Sequence, residues 1–295
     1  MIYDYHSLLN TQKAELEAAI DASTIQIFGS NQLREFLQNI ISTEFRNVPV
    51  TANQLKQFLI NYSHLREIAF QTPRKEILYI WRTVDEYQLL FKIRPKGYYS
   101  HLSALYFHGL LDYEPRSIYF NHEQSARLLS TGTLEQSRID NAFRKKQRIT
   151  TARTVYDGKE YWLLNGKQTG NYGVILKQIP AGIKVPVTNL ERTLIDITVR
   201  PAYAGGAASV LQAYRLAQSK LSIDKLQETL LALDYLYPYH QSIGFYIDLA
   251  GNYRENAIKK FLDYDSLKYD FYLNYEMKEP KYSKKWRIYY PNDLT

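Results

Sequence analysis

Apolar residues recur at helical spacing through Leu33, Phe36, Leu37 and Ile40. This spacing predicts a helix over NQLREFLQNIIS, capped by Ser30. Pro49 interrupts the chain, and Thr51 then caps a second helix, TANQLKQFLINY, whose apolar stripe is Leu55, Phe58, Leu59 and Tyr62. That stripe leaves Asn53, Gln54, Lys56 and Gln57 facing outward. The pattern next turns β-prone: HLREIAF, which carries Arg66, and EILYIWR are joined by QTPRK, a polar connection with Arg74 and Lys75. Helices followed by a basic-tipped hairpin is the order of a winged helix-turn-helix, in which one helix reads the major groove and the hairpin tip reaches the backbone. Asn and Gln have the donor and acceptor pair that matches adenine in that groove, although exposed amides also serve solubility alone. A further helix is expected around residues 8 to 20.

Arg94-Pro95-Lys96-Gly97 is turn chemistry, and it divides a winged helix-turn-helix-like region, residues 1–95, from a larger mixed α/β region, residues 96–295. The expected class is α+β. Past the turn, Ser100 caps a helix with Leu102, Leu105 and Tyr106 inward, ended by Gly109. His101 and His108 fall on one face of it, but no third ligand lies at a helical offset, which favours structural histidines over a metal site. Thr133 and Gln136 form a capping box for LEQSRIDNAFRKKQR. In that helix Arg138, Lys145 and Arg148 project from one side and Arg144 and Lys146 widen the patch. Such a face suits a phosphate backbone, and cations near a helix C-terminus are also favourable without any partner. Then ARTVY and EYWLL flank Asp157-Gly158, and GVILKQ and IKVPV flank Pro180-Ala181-Gly182, which together predict a short β-meander.

The segment VTNLERTLIDITVRPAYAGG, residues 187–206, looks at first like chemistry in an apolar run. With Thr188 as N-cap, Glu191 completes a Thr-x-x-Glu capping box. Leu190, Leu194 and Ile197 form the buried stripe, and Arg192 and Asp196 pair on its flank for a few tenths of a kcal/mol at most. Pro201 stops the helix, and Gly205-Gly206 opens the next. The glycine spacing matches neither a Walker loop nor a dinucleotide fingerprint, so a tight turn is expected, without a cofactor.

Lys and Arg total 37 against 30 Asp and Glu, a formal charge of +7. The excess suits a polyanionic partner such as nucleic acid, or simply a basic solvated face. The absence of cysteine excludes disulfides and thiolate-held zinc. No apolar run approaches the roughly 20 residues of a bilayer helix, and MIYDYHSLLN lacks signal-peptide order; a cytoplasmic protein without membrane partners is expected. The 27 tyrosines predict aromatic packing with hydroxyls kept wet.

The same residues carry a family resemblance. VTNLERTLIDITVRPAYAGG resembles the signature of the AbiEi family, antitoxins and transcriptional regulators of AbiE-type, type IV toxin-antitoxin and phage abortive-infection systems. YYSHLSALYFHGL is similar to the family's Ser-His-x-Ser-Ala segment, YPYHQSIGFYIDLAG to its Gly-Phe helix region and KKWRIYYP to its closing Trp strand, so the resemblance spans about residues 98 to 290. It implies an N-terminal winged helix-turn-helix that represses its own promoter. It also implies a C-terminal antitoxin domain with a basic face, working against a nucleotidyltransferase-like toxin without a stable complex. The matching positions are Thr188, Glu191, Arg192, Thr193, Asp196, Pro201, Gly205 and Gly206, most of them architectural by their chemistry.

Two other readings compete with a non-enzymatic regulator. Asp270 with Glu276 and Lys278 in KYDFYLNYEMK is reminiscent of the carboxylate plus Glu-x-Lys set of metal-dependent nucleases, with both carboxylates expected on one face of an extended strand. An orphan nucleic-acid-binding regulator or interaction module without a toxin is the other.

Overall fold

The structure is a computed structural model that describes residues 5–46, 49–72, 75–125, 133–265 and 267–294. The chain forms α1 (Tyr5–Thr11), α2 (Lys13–Asp21), β1 (Ile27–Gly29), α3 (Ser30–Glu44), α4 (Ala52–Tyr62), β2 (Leu65–Phe70), β3 (Glu76–Trp81) and α5 (Glu86–Ile93). There follow β4 (Tyr98–Tyr99), α6 (His101–Phe107), β5 (Ser117–Glu123), α7 (Gln136–Phe143), β6 (Arg153–Tyr156), β7 (Lys159–Gly166), β8 (Val174–Gln178), β9 (Lys184–Thr188) and α8 (Leu190–Val199). Last come α9 (Ala207–Ala217), α10 (Ile223–Leu233), α11 (Tyr239–Ala250), α12 (Glu255–Leu262), β10 (Phe271–Tyr272), β11 (Lys281–Ser283) and β12 (Ile288–Tyr290). The fold is therefore mixed α and β, and no helix among the described residues is long and apolar enough to cross a membrane.

Two compact units emerge. The first takes the chain through Lys96 together with Thr151–Tyr156, and the second takes Gly97–Thr150 and the chain from Asp157 onward. The returning segment is held by hydrogen bonds: Gln71 N donates to Arg153 O at 2.9 Å, and Thr154 Oγ1 donates to Ala69 O at 2.8 Å. Nothing local in ARTVY signals this, because a four-residue strand finds its partner only in three dimensions.

In the first unit, β1, β3 and β2 form an antiparallel sheet in that order. The helical stripes pack on it as their spacing requires: Leu33, Leu37 and Ile40 of α3 and Leu55, Phe58 and Leu59 of α4 are buried with Phe28, Leu65 and Trp81. Thr51 and Gln54 form the capping box of α4, with Gln54 N donating to Thr51 Oγ1 and Thr51 N donating to Gln54 Oε1. Ser30, by contrast, is the first helical residue of α3; Gly29 holds the cap position, with no side chain to bond.

In the second unit the strands run β7-β5-β4-β9-β8. β5 pairs in parallel with β7, and β4 with β9, while β4-β5 and β8-β9 are antiparallel. The β8-β9 hairpin forms as expected, but the strands do not follow one another as a meander, because β5 and β4 stand between β7 and β9 in a mixed sheet. Helix α7 also differs: it starts at Gln136 with Glu135 as N-cap, and it ends at Phe143. The Gln136 amide does not reach back to Thr133; its Nε2 donates to Asp140 Oδ1 and Asp270 O, both at 2.8 Å.

Tyrosine supplies packing, as its abundance suggests, but at deeper burial. Tyr98, Tyr99, Tyr161, Tyr214 and Tyr246 are fully buried, and Tyr214 and Tyr246 stack at 5.4 Å.

Gly244 of α11 lies under the Trp286 indole, where an added Cβ would meet two ring carbons at 2.2 and 2.3 Å. Trp286 is fully buried and anchored by its Nε1 donating to Asp248 Oδ2 at 2.8 Å, so the ring has no easy retreat. Gly244→Ala is expected to lose about 3 kcal/mol by overpacking and to regain about 1 kcal/mol of helix propensity. Urea unfolding should therefore show a net loss of about 2 kcal/mol, and a second change, Trp286→Leu, should shrink the penalty of the alanine.

Candidate functional site

Two separate regions collect the chemistry. In the first unit, the N-terminal part of α4 and the facing turns of α3 enclose a groove of about 400 Å³ lined by Asn31, Arg34, Gln38, Asn53, Lys56 and Tyr79, among others. Asn53 and Gln57 are exposed and Lys56 is half-buried, with its ammonium 5.6 Å over the Tyr79 ring. Gln54 departs from the expected outward face: it is half-buried, and its carbonyl serves the cap. Arg66 is exposed but committed, donating from Nη2 to Arg82 O at 2.8 Å and lying 5.0 Å over the Tyr156 ring. Lys75 is exposed beside the start of β3, and Arg74 lies outside the described residues. Arg34 joins Asn53 and Lys56 in the groove and was not singled out from sequence. Its helical offset from Leu33 and Leu37 was the available signal, since it places Arg34 on the solvent side of α3.

In the second unit, α8 is the central element. Thr188 still pairs with Val174 as the last residue of β9, so the helix begins one residue later than its spacing suggests and Asn189 is the cap, accepting from Arg192 N at 2.8 Å. Glu191 is consequently not part of a capping box; it is buried, and its carboxylate accepts from Ser222 N at 3.4 Å. All residues from Glu191 to Thr198 are buried, because α6, α9, α10 and α11 all pack on α8. A single apolar stripe cannot describe a helix covered on every side.

The Arg192–Asp196 pair is the main consequence. Instead of a solvent-screened flank pair, Arg192 Nε donates to Asp196 Oδ1 at 2.8 Å with the two side chains 2% and 5% exposed. Arg192 Nη1 donates to Tyr172 O at 2.8 Å and to Thr169 Oγ1 at 3.2 Å, and Nη2 reaches the Tyr98 hydroxyl at 3.5 Å. The Glu123 carboxylate holds the same loop by accepting from Thr169 N at 2.8 Å and Asn171 N at 3.2 Å. Burial pushes the Asp196 carboxyl up, against the pull of Arg192.

This pair lines a cavity of about 710 Å³ that also meets His101, Asn121, Arg148 and Arg200. Burial first, then the Arg192 and Arg200 cations, pushes the His101 imidazole down to about 3. The ring is therefore neutral at pH 7, and its Nδ1 shares a 2.8 Å hydrogen bond with Ser100 Oγ. Pro201 begins a short 3-10 turn, and Gly205 and Gly206 follow at φ +88° and +98°, a backbone that side chains rarely adopt. Gly206 N donates to Pro201 O at 2.9 Å, which makes the glycine pair a closed turn.

The remaining candidates separate. Arg138 sits on α7, whereas Arg144, Lys145, Lys146 and Arg148 follow its end, so the basic patch is exposed but does not form one helical face. Of these, Arg148 reaches the cavity. His108 Nε2 bonds Thr188 O at 2.7 Å, and no group of three or more metal-ligating His, Cys, Asp or Glu side chains occurs among the described residues. The extended strand expected through Asp270 and Glu276 stops at Tyr272, and Glu276 stands in a left-handed turn at φ +49°. Asp270 is engaged by Tyr282 Oη at 2.6 Å and Arg287 Nε at 3.0 Å, so alternation does not align the nuclease-like set.

No protein-family model and no curated protein matches the chain. Among solved structures, the crystal structure of the RV2827C protein from Mycobacterium tuberculosis is similar in fold over 95% of this chain and 91% of that one, with a TM-score of 0.62 at 14% sequence identity.

Proposed function

We propose that this protein is a DNA-binding transcriptional repressor of its own operon and the antitoxin of a type IV toxin-antitoxin pair, acting in the cytoplasm. One observation supports the DNA-binding half above others: the order α2-β1-α3-α4-β2-β3 on a three-stranded sheet is that of a winged helix. In it, α4 takes the place of the recognition helix, with Asn53 and Gln57 exposed. Lys56 and Arg34 beside them offer charge to flanking phosphates, and Lys75 does so from the hairpin. The antitoxin half follows from the resemblance of residues 98 to 290, with a nucleotidyltransferase-like toxin as functional partner.

The test is fluorescence anisotropy with promoter DNA of the operon across a salt series. Affinity should fall steeply with salt, as phosphates neutralised by the protein release counterions. Asn53→Ala with Gln57→Ala should relax base preference by about 1–3 kcal/mol, whereas Lys75→Ala should weaken all sequences alike and flatten the salt slope by about one. Equal affinity for promoter and unrelated DNA would overturn the operator-binding half. Failure to rescue growth when the neighbouring toxin is expressed would overturn the antitoxin half.

A further inference from the structure

The small sheet near the end of the chain carries chemistry that operator binding by the first unit does not use. Its strands lie in the order β10-β12-β11. Side chains alternate between the two faces of a strand. Here Phe271 and Ile288 turn into the core, while Tyr272, Tyr289 and Tyr282 stand in register on the other face. The three rings form a row: Tyr272 and Tyr289 stack at 5.0 Å, and Tyr289 meets Tyr282 at 4.8 Å with a tilt of 46°. Inward, the row continues through Phe143, stacked on Tyr272 at 5.6 Å, to Tyr275, which lies 4.4 Å from Phe143.

Outward, the row stops at Tyr282. Strand β11 is the edge of the sheet, and Tyr282 meets no ring other than Tyr289 among the described residues, which leaves it 39% exposed. Its hydroxyl donates to Asp270 Oδ1 at 2.6 Å, and Asp270 is in turn held by Arg287 Nε at 3.0 Å. The ring is thus fixed before any ligand arrives, so stacking on it costs little side-chain entropy.

The charge around this ring selects the ligand. Residues 281–290, KYSKKWRIYY, hold three lysines and one arginine and no acid. Lys285 and Arg287 are engaged by Asp248 and Asp270. Lys284, close after Tyr282 in the chain, is exposed and forms no ion pair among the described residues. A flat ring open on one side, beside an unneutralised cation, fits a base on a phosphate backbone; an apolar peptide would use the ring and leave the charge idle. Bases inside a duplex are already stacked on both faces, whereas RNA loops and ends present them unpaired.

We propose that the outer face of Tyr282 is a stacking site for an unpaired base of single-stranded RNA, with Lys284 on a neighbouring phosphate. The base extends the tyrosine row by one ring, and since every base has a flat face the site tolerates any sequence. It lies wholly in the second unit and does not depend on operator binding.

Fluorescence anisotropy of the full chain with a labelled oligo(A) RNA of about ten nucleotides, the span of a single binding site, tests this. Binding should saturate, and an abasic ribose-phosphate strand of the same length should bind at least about fivefold more weakly. Tyr282→Ala should lose about the same factor, and Tyr282→Phe, which keeps the ring, should recover most of that loss. Lys284→Ala should flatten the salt slope by about 0.7. Asn53→Ala with Gln57→Ala should leave RNA binding unchanged, which separates this site from operator recognition. A photoreactive 4-thiouridine strand should crosslink within residues 281–290. No binding at about 100 μM RNA, equal binding of the abasic strand, full binding by Tyr282→Ala, no recovery in Tyr282→Phe, tighter binding of the matching DNA strand, or crosslinks confined to the first unit would each overturn the proposal.

Discussion

Arg192→Ala will cost the protein about 3–5 kcal/mol of stability, the largest single-residue loss expected in the second unit. The change leaves the Asp196 carboxylate, 5% exposed, without its 2.8 Å partner. It also strips the donor from Tyr172 O. A buried charge without a counter-charge is the costly state; the pair itself roughly balances its own desolvation. The double variant Arg192→Met with Asp196→Leu removes both charges and should therefore recover most of the loss. Urea unfolding followed by tryptophan fluorescence checks this, since Trp162 and Trp286 both belong to the second unit. A double variant as unstable as the single one would show that the pair is not coupled as its geometry implies.

Acid should destabilise the same unit through its buried histidines. The buried His101 ring titrates near 3 in the folded protein and near 6.5 when unfolded. Between those values the unfolded chain binds more protons than the folded one, so stability is complete above about 6.5, falls as pH drops, and levels off below about 3. For this one ring the loss is about 2 kcal/mol by pH 5. Burial pushes His108 and His240 in the same direction, which steepens the total slope. His101→Asn removes one contributor and keeps a side chain suited to the left-handed backbone at φ +52°. Unfolding free energies from urea titrations at pH 7 and pH 5 should lie closer together in this variant by about 2 kcal/mol; an unchanged gap would place the acid sensitivity elsewhere.

The same residues show how far local pattern reaches. The stripes of α3 and α4, the Thr51 cap and the β2-β3 hairpin were legible, because each depends on neighbours within a few positions. Gln54 shows the limit even there: the residue that completes a cap cannot also present its carbonyl to a base. In the second unit the limits are wider. The 3.6-residue period placed Arg192 and Asp196 on one flank of α8, and that placement holds. What covers the flank is the segment from Thr169 to Tyr172 together with Tyr98 of β4, which no spacing within residues 187–206 records.

By itself, then, the sequence determined the mixed α and β class, the positions of α3, α4, α6, α8 and α9, the β2-β3 and β8-β9 hairpins, the basic charge and the stop at Pro201-Gly205-Gly206. These follow from periodicity, turn chemistry and formal charge, all read along the chain. Only the tertiary structure decided that β5 and β4 split the expected meander, that Gly244 exists to admit the Trp286 ring, and that residues 151–156 return to the first unit. It also decided that Arg192 and Asp196 meet His101, Asn121, Arg148 and Arg200 around one cavity. Those residues are scattered over a hundred positions, and burial arises only when distant segments close around them.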